Sequence, residues 1–338
     1  MVNGLIGIAI TAAALFTYAP AYSAGVISLN ASGSAYSQNF DSLANTGTST
    51  FMPNGWDFSE TLVNANTTYS AGTGSGSAGD TYSFGTAAST ERAFGTLQST
   101  TLKSTIGAQF VNNTGAAINS LTISYTGEQW RLGAASRTDQ LDFQFSTNAA
   151  SLTTGTWTDY NNLDFVTPNT TTPTGAKDGN SAGNRTVISA TISGLAIPNG
   201  ATFWIRWLDL DIAGSDDGLA IDDFSLTPQS APSVVSVLRA GANPTNAALV
   251  DFTVTFSRAV TGVGIDDFSI ASGLTGTSVA TISGSGTTYT VSVNTGSGSG
   301  TLRLNVTDDD SIIDSLSIPL GGIGLGNGNF NGSVRKSV

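Results

Sequence analysis

Six aspartates crowd into 15 residues: Asp209, Asp211, Asp216, Asp217, Asp222 and Asp223. Carboxylates this close repel one another unless water or a cation lies between them. Calcium is the ion they suit, because it takes about six to eight oxygen ligands and tolerates irregular geometry. Asp209 and Asp211, two residues apart, share one face of a strand. The spacing is not that of an EF-hand: counted from Asp209, the fifth position is Ala213 and the twelfth is Ala220. The competing reading is structural, with Asp216-Asp217-Gly218 as a tight turn and Asp222-Asp223 as a polar strand face. Asp308, Asp309, Asp310 and Asp314 form a second group, either a calcium site at a domain junction or a solvated loop capping a strand. Asp266-Asp267, before Phe268, reads as a strand-entry turn.

Glu128 and Arg131 flank Trp130 in a region with few charges. They read either as a polar pocket with an aromatic platform for a sugar or a base, or as a structural Glu–Arg pair with arginine stacked on the indole. Glu91-Arg92 carries the same two readings, and Arg137 and Arg206 are further rare charges. Trp130, Trp157 and Trp204 are the indoles that a sugar-binding face would use. The only glutamates are Glu60, Glu91 and Glu128. Glycoside hydrolysis would need two carboxyls about 5–9 Å apart, one with a raised pKa, and sequence spacing places no pair so. The chain therefore reads as non-catalytic.

Composition narrows the chemistry further. The 338 residues include no Cys and no His. That excludes disulfides, thiolate nucleophiles, Cys- or His-ligated metals and a Ser-His-Asp triad. The 12 Lys+Arg against 24 Asp+Glu give a net charge of −12, which disfavours nucleic acid as a partner. An extracellular glycan or protein ligand is the partner class that remains. The glycine-rich runs 72–79 and 296–300 lack the strand–turn–helix setting of a phosphate cradle.

The elements that must position these groups are strands. Charged residues are only 11% of the chain, and Ser, Thr, Gly and Asn fill their place. Apolar residues alternate at Leu121/Ile123/Tyr125, Leu141/Phe143/Phe145, Ile188/Ala190/Ile192 and Phe203/Ile205/Trp207, the period of half-buried strands. Short Val/Thr strands follow at Val250–Phe256, Tyr289–Val293 and Leu302–Val306, in the manner of a small Ig-like sandwich. The fold class is all-β. Ahead of the strands, the apolar stretch 5–16 and the small residues up to Ala24 read as a secretory signal peptide, too short for a stable membrane span. Its n-region lacks Lys and Arg, and the first basic residue is Arg92; the chain therefore also reads as a fragment. Secretion or display at the cell surface follows.

The polar segment 227–232, with Pro228 and Pro232, reads as a short stiff linker. All five Trp lie before it. The organisation is thus 1–24 signal peptide, 25–229 a jelly-roll β-sandwich, and 232–338 an Ig-like β-sandwich with a short or missing last strand. Thr90–Gly95, Tyr125–Arg131, Ile205–Trp207 and the closing Asp216–Leu226 resemble a jelly-roll module of bacterial secreted and surface proteins, found beside extracellular nucleases. Val250–Ser257, Val260–Val263, Asp266–Phe268, Gly284–Val291 and Asp308–Asp314 resemble a bacterial Ig-like adhesin repeat. The resemblance implies a modular, non-catalytic, structural or adhesive part, with calcium as its candidate ion. The alternatives are a carbohydrate-binding module or an accessory part of a secreted hydrolase.

Overall fold

The computed structural model describes residues 25–333 and 335–336. The signal-peptide reading falls on 1–24, outside the described residues. Strands are the regular secondary structure of the described chain, apart from two single-turn 3-10 helices, Asn161–Leu163 and Ile265–Asp267. None of its helices is long and apolar enough to cross a membrane.

Residues before the linker build two facing sheets. The seven-stranded sheet runs Ile27–Leu29, Lys103–Asn112, Thr202–Asp209, Gln140–Ser146, Thr158–Asp159, with Trp56–Thr61 and Phe165–Val166 added alongside. The nine-stranded sheet is centred on Ser120–Leu132 and Gly218–Gln229. Ala93–Leu97, Asp80–Phe84, Tyr69–Gly72 and Thr48–Ser49 continue it on one side, Arg185–Ile192 and Gly175–Ala176 edge the other, and Tyr36–Gln38 pairs with the second half of Gly218–Gln229. The period-2 patterns place the core between the sheets. Leu121, Ile123 and Tyr125 meet Phe143, Phe203, Ile205 and Trp207 there. Trp56 stacks on Trp207 with centroids 6.1 Å apart, and Tyr125, Phe143 and Phe224 pack edge-on around the Trp207 ring. Rings of this size dominate the apolar area buried.

One irregularity matters for the site. Leu219 and Ile221 point into the core, and so do Phe224 and Leu226. The inward phase therefore shifts by one residue, which is what a β-bulge does. The register against Ser120–Leu132 slips between Asp222 and Ser225, and Asp223 takes φ +48°. The Asp222-Asp223 pair is thus the bulge itself, not a regular polar strand face. Asp222 is left pointing to the outer face of the sheet.

The second region has its own core of Val, Leu and Ile with Phe252, Phe256 and Tyr289. One sheet is Val234–Ala240, Leu249–Thr261 and Ser278–Asn294, with Ile313–Asp314; the other is Phe268–Ser272, Thr301–Val306 and Phe330–Asn331, with Arg335–Lys336. After the glycine-rich loop the chain adds two short pieces, Phe330–Asn331 and Arg335–Lys336, each pairing two residues with Thr301–Val306. Residues 230–233 alone connect the regions, because Thr227-Pro228-Gln229 still belongs to a strand. Arg258 bridges them: Nη1 donates to Gln229 at 3.1 Å and to Asp314 at 3.2 Å, and Nη2 donates to Ser32 at 3.2 Å.

Candidate functional site

The six aspartates of 209–223 do not surround one point. They divide between two places, and each recruits acids that are distant in sequence. Asp222 joins Glu91 and Glu128 on the outer face of the nine-stranded sheet. One carboxylate oxygen from each lies within 4.8 Å of the other two. Glu128 is 1% exposed and Asp222 6%.

The members of this trio take few hydrogen bonds. Glu128 Oε2 accepts the Trp130 indole N–H at 2.9 Å. Asp222 Oδ1 accepts the Asp223 N–H at 2.7 Å. Asn180 donates to Glu91 Oε2, and the buried Glu91 Oε1 has no partner. None of the three forms an ion pair among the described residues, although Arg185 stands across from Glu128 in strand register. Burial pushes the Glu128 carboxyl up to about 7, with Glu91 adding to the shift. Burial pushes Asp222 up to about 9, with Glu128, Asp223 and Glu91 contributing. With no cation paired to them, the buried Glu128 and Asp222 carboxyls hold protons or take a metal ion. All the donors are oxygen, which suits a hard cation such as calcium.

The trio sits beside a stack of Tyr82, Phe84 and Trp130, with centroid spacings of 4.8 and 6.1 Å. Gly179 lies flat against the indole; a Cβ there would stand 2.4 Å from the ring. Trp130 is consequently 1% exposed. The expected pocket of Trp130, Glu128 and Arg131 is thereby corrected: the chain's own loop covers the ring, and no platform is open to a ligand. Nor do Glu128 and Arg131 pair. Arg131 points away and holds the neighbouring loop through the carbonyls of Gly74 and Ser75 at 3.1 and 3.2 Å.

The other expected groups are held within the fold. Glu60 accepts four hydrogen bonds from Asn66 and Thr81, and Arg92 is buried against Ser83, Thr86 and Gly72. Trp204 is 2% exposed under the 149–157 loop, and Arg206 lies 3.9 Å over the Trp157 ring centre. Asp308, Asp309 and Asp314 accept backbone N–H groups of near neighbours, Asp308 and Asp310 accept those of Gly328 and Gly324 from the following loop, and Asp314 also takes Arg258. They are loop caps. Asp267 closes a capping box on the turn into the Phe268–Ser272 strand.

Asp209, Asp216 and Asp217 lie at the other place, with Asp139. Arg137 Nη1 sits 3.1 Å from Asp139 and Nη2 3.7 Å from Asp217. Asp211 is exposed on the adjoining loop. Neither Glu91 nor Asp139 could be assigned to its site from the sequence, because each reaches it only through strand pairing. The one signal was Asp222 beside Asp223, two acids inside an otherwise apolar strand.

No protein-family model and no curated protein matches the chain. Among solved structures, a β-1,2-glucanase from Parabacteroides distasonis is similar at 11% identity and a TM-score of 0.26. The match covers 94% of this chain but only 38% of that one.

Proposed function

We propose that this chain is a non-catalytic extracellular module, structural or adhesive, in which a jelly-roll-like sandwich leads into an Ig-like one. In this reading the first sandwich is stabilised by calcium held by Glu91, Glu128 and Asp222. The observation that carries it is the meeting of three carboxylate oxygens within 4.8 Å with no cationic side chain paired to them. A buried acid group of that kind gains most from an ion that replaces its protons. The same burial argues against hydrolysis: Glu128 and Asp222 have almost no surface to offer a substrate.

The test is a thermal melt of the mature chain in millimolar calcium and in EDTA. Calcium should raise the melting temperature of the wild type and leave a Glu128→Gln/Asp222→Asn variant unmoved. Equal melting temperatures in calcium and EDTA for the wild type would overturn the calcium site.

A further inference from the structure

At one end of the first sandwich the chain leaves the nine-stranded sheet at Ile192 and enters the seven-stranded sheet at Thr202. The turn between them and the loop after Phe145 line a cavity of about 540 Å³. Small-molecule sites span about 300–1,000 Å³. No charged residue lines the cavity, although the chain carries a net charge of −12. Phe145, Leu195, Ile197 and Pro198 give it an apolar wall. Phe145 and Leu195 pack on the core but stay only partly buried, so they offer apolar surface to the cavity. The wall is fixed in place. Ile118 and Ile197 exchange backbone hydrogen bonds at 2.9 and 3.0 Å, and Asn112 Nδ2 donates to the Ile197 carbonyl at 2.8 Å.

The rest of the lining is neutral and polar. Thr156 and Thr158 are exposed there, beside Asn148. Asn148 Oδ1 accepts Ser146 Oγ at 3.0 Å and the Thr156 N–H at 2.8 Å, which holds the carboxamide in one orientation. Its Nδ2 donates to no group among the described residues, so a positioned donor is left over. An apolar wall with neutral hydroxyl and amide groups around it suits an uncharged ligand with one apolar face and hydroxyls at its edge. A pyranose ring is built in this way, with C–H groups on its face. Ile323, 66% exposed, stands beside Gly194 at the rim, where a Cβ would lie 3.8 Å from it. The apolar wall thus runs on towards the second sandwich, beyond the length of a single sugar. We propose that this cavity binds a neutral oligosaccharide, with Phe145 against a sugar face and Asn148 donating to a hydroxyl. The inference gives a ligand class to the adhesive reading, on which it rests, and uses none of Glu91, Glu128 and Asp222.

The experiment is saturation-transfer NMR on the full chain in calcium, with titration for affinity. The probes are neutral di- and trisaccharides of glucose, galactose, mannose and N-acetylglucosamine, with a sulfated disaccharide as the charged control. At least one neutral series should receive saturation from the protein. Ala196→Trp fills the cavity from an exposed position and should abolish binding with the melting temperature unchanged. Thr202→Arg, also at an exposed lining position, is the second blocking variant should the first fail to fold. Asn148→Ala should weaken binding about ten-fold, read where near-ultraviolet circular dichroism shows native packing, because Asn148 also holds Ser146 and Thr156. No transfer to any neutral probe would overturn the proposal. So would binding that survives unchanged in a folded blocking variant, or a preference for the sulfated control. The calcium melts report on the trio separately. A chain that binds a probe but ignores calcium keeps this cavity and loses the trio; one that responds to calcium but binds no probe does the reverse.

Discussion

Asp139 with Asp217 and Glu91 with Glu128 and Asp222 are both buried acid groups on the same sandwich. The first contains an arginine and a full set of donors. The second contains no paired cation and retains a buried oxygen without a partner. The difference shows what a buried carboxylate needs. Amide donors and one guanidinium give every carboxylate oxygen of Asp139 and Asp217 a partner, whereas the buried Glu128 and Asp222, with single hydrogen bonds, keep protons or take an ion.

The sharpest way to break this contrast is to remove the arginine. Arg137→Met should destabilise the chain by about 3–5 kcal/mol, as loss of one partner of a buried pair does. The shift of the urea midpoint measures it, and a change under about 1 kcal/mol would mean that the amide donors suffice alone.

Calcium should come next. At a concentration of 100 times Kd it should stabilise the chain by about 2.7 kcal/mol, and the effect should vanish in Glu128→Gln/Asp222→Asn. The same variant should be at least as stable as wild type in EDTA, because it removes the repulsion within the trio.

Acidity should separate the groups further. The folded Glu128 and Asp222 carboxyls hold protons up to about 7 and about 9, well above the ordinary carboxylate values of 4.5 and 3.8. Between those limits the native state holds protons that the unfolded chain has released, so stability falls as pH rises from about 4 towards 9. Each group costs up to about 1.4 kcal/mol per pH unit over its own interval. Melts in EDTA should show this decline, and saturating calcium should flatten it above about pH 7. A pH-independent melting temperature in EDTA would show that the trio is not buried as an uncompensated group.

The smallest effect should come from Asn180→Ala, which removes the donor to Glu91 and should cost about 1 kcal/mol. Calcium should recover most of that loss, since the ion supports the same carboxylate.

The alternating patterns made much of the architecture legible. Leu121/Ile123/Tyr125, Phe203/Ile205/Trp207 and Val250/Phe252/Val254/Phe256 are all core residues, as their period requires. The pattern was weakest at the sheet edge. Ile188 and Ala190 are only partly buried, because the Arg185–Ile192 strand pairs on one side alone. Outward-facing side chains escape the pattern for a different reason. Trp130 and Trp204 alternate like surface residues but lie beneath loops 178–184 and 149–157, and no local period reports what a distant loop will cover.

By itself, then, the sequence determined the all-β class and the inward faces of the strands, because a two-residue period fixes which side of a sheet each residue takes. It also determined that any metal ligands would be oxygens, since neither Cys nor His is present. The tertiary structure decided which acids meet. Glu91, Glu128 and Asp222 come from three strands or their ends, and a one-residue bulge at Asp223 sets the direction of the last. Cross-strand register and the loops laid over the sheet decide such meetings, and both depend on contacts far apart in the chain.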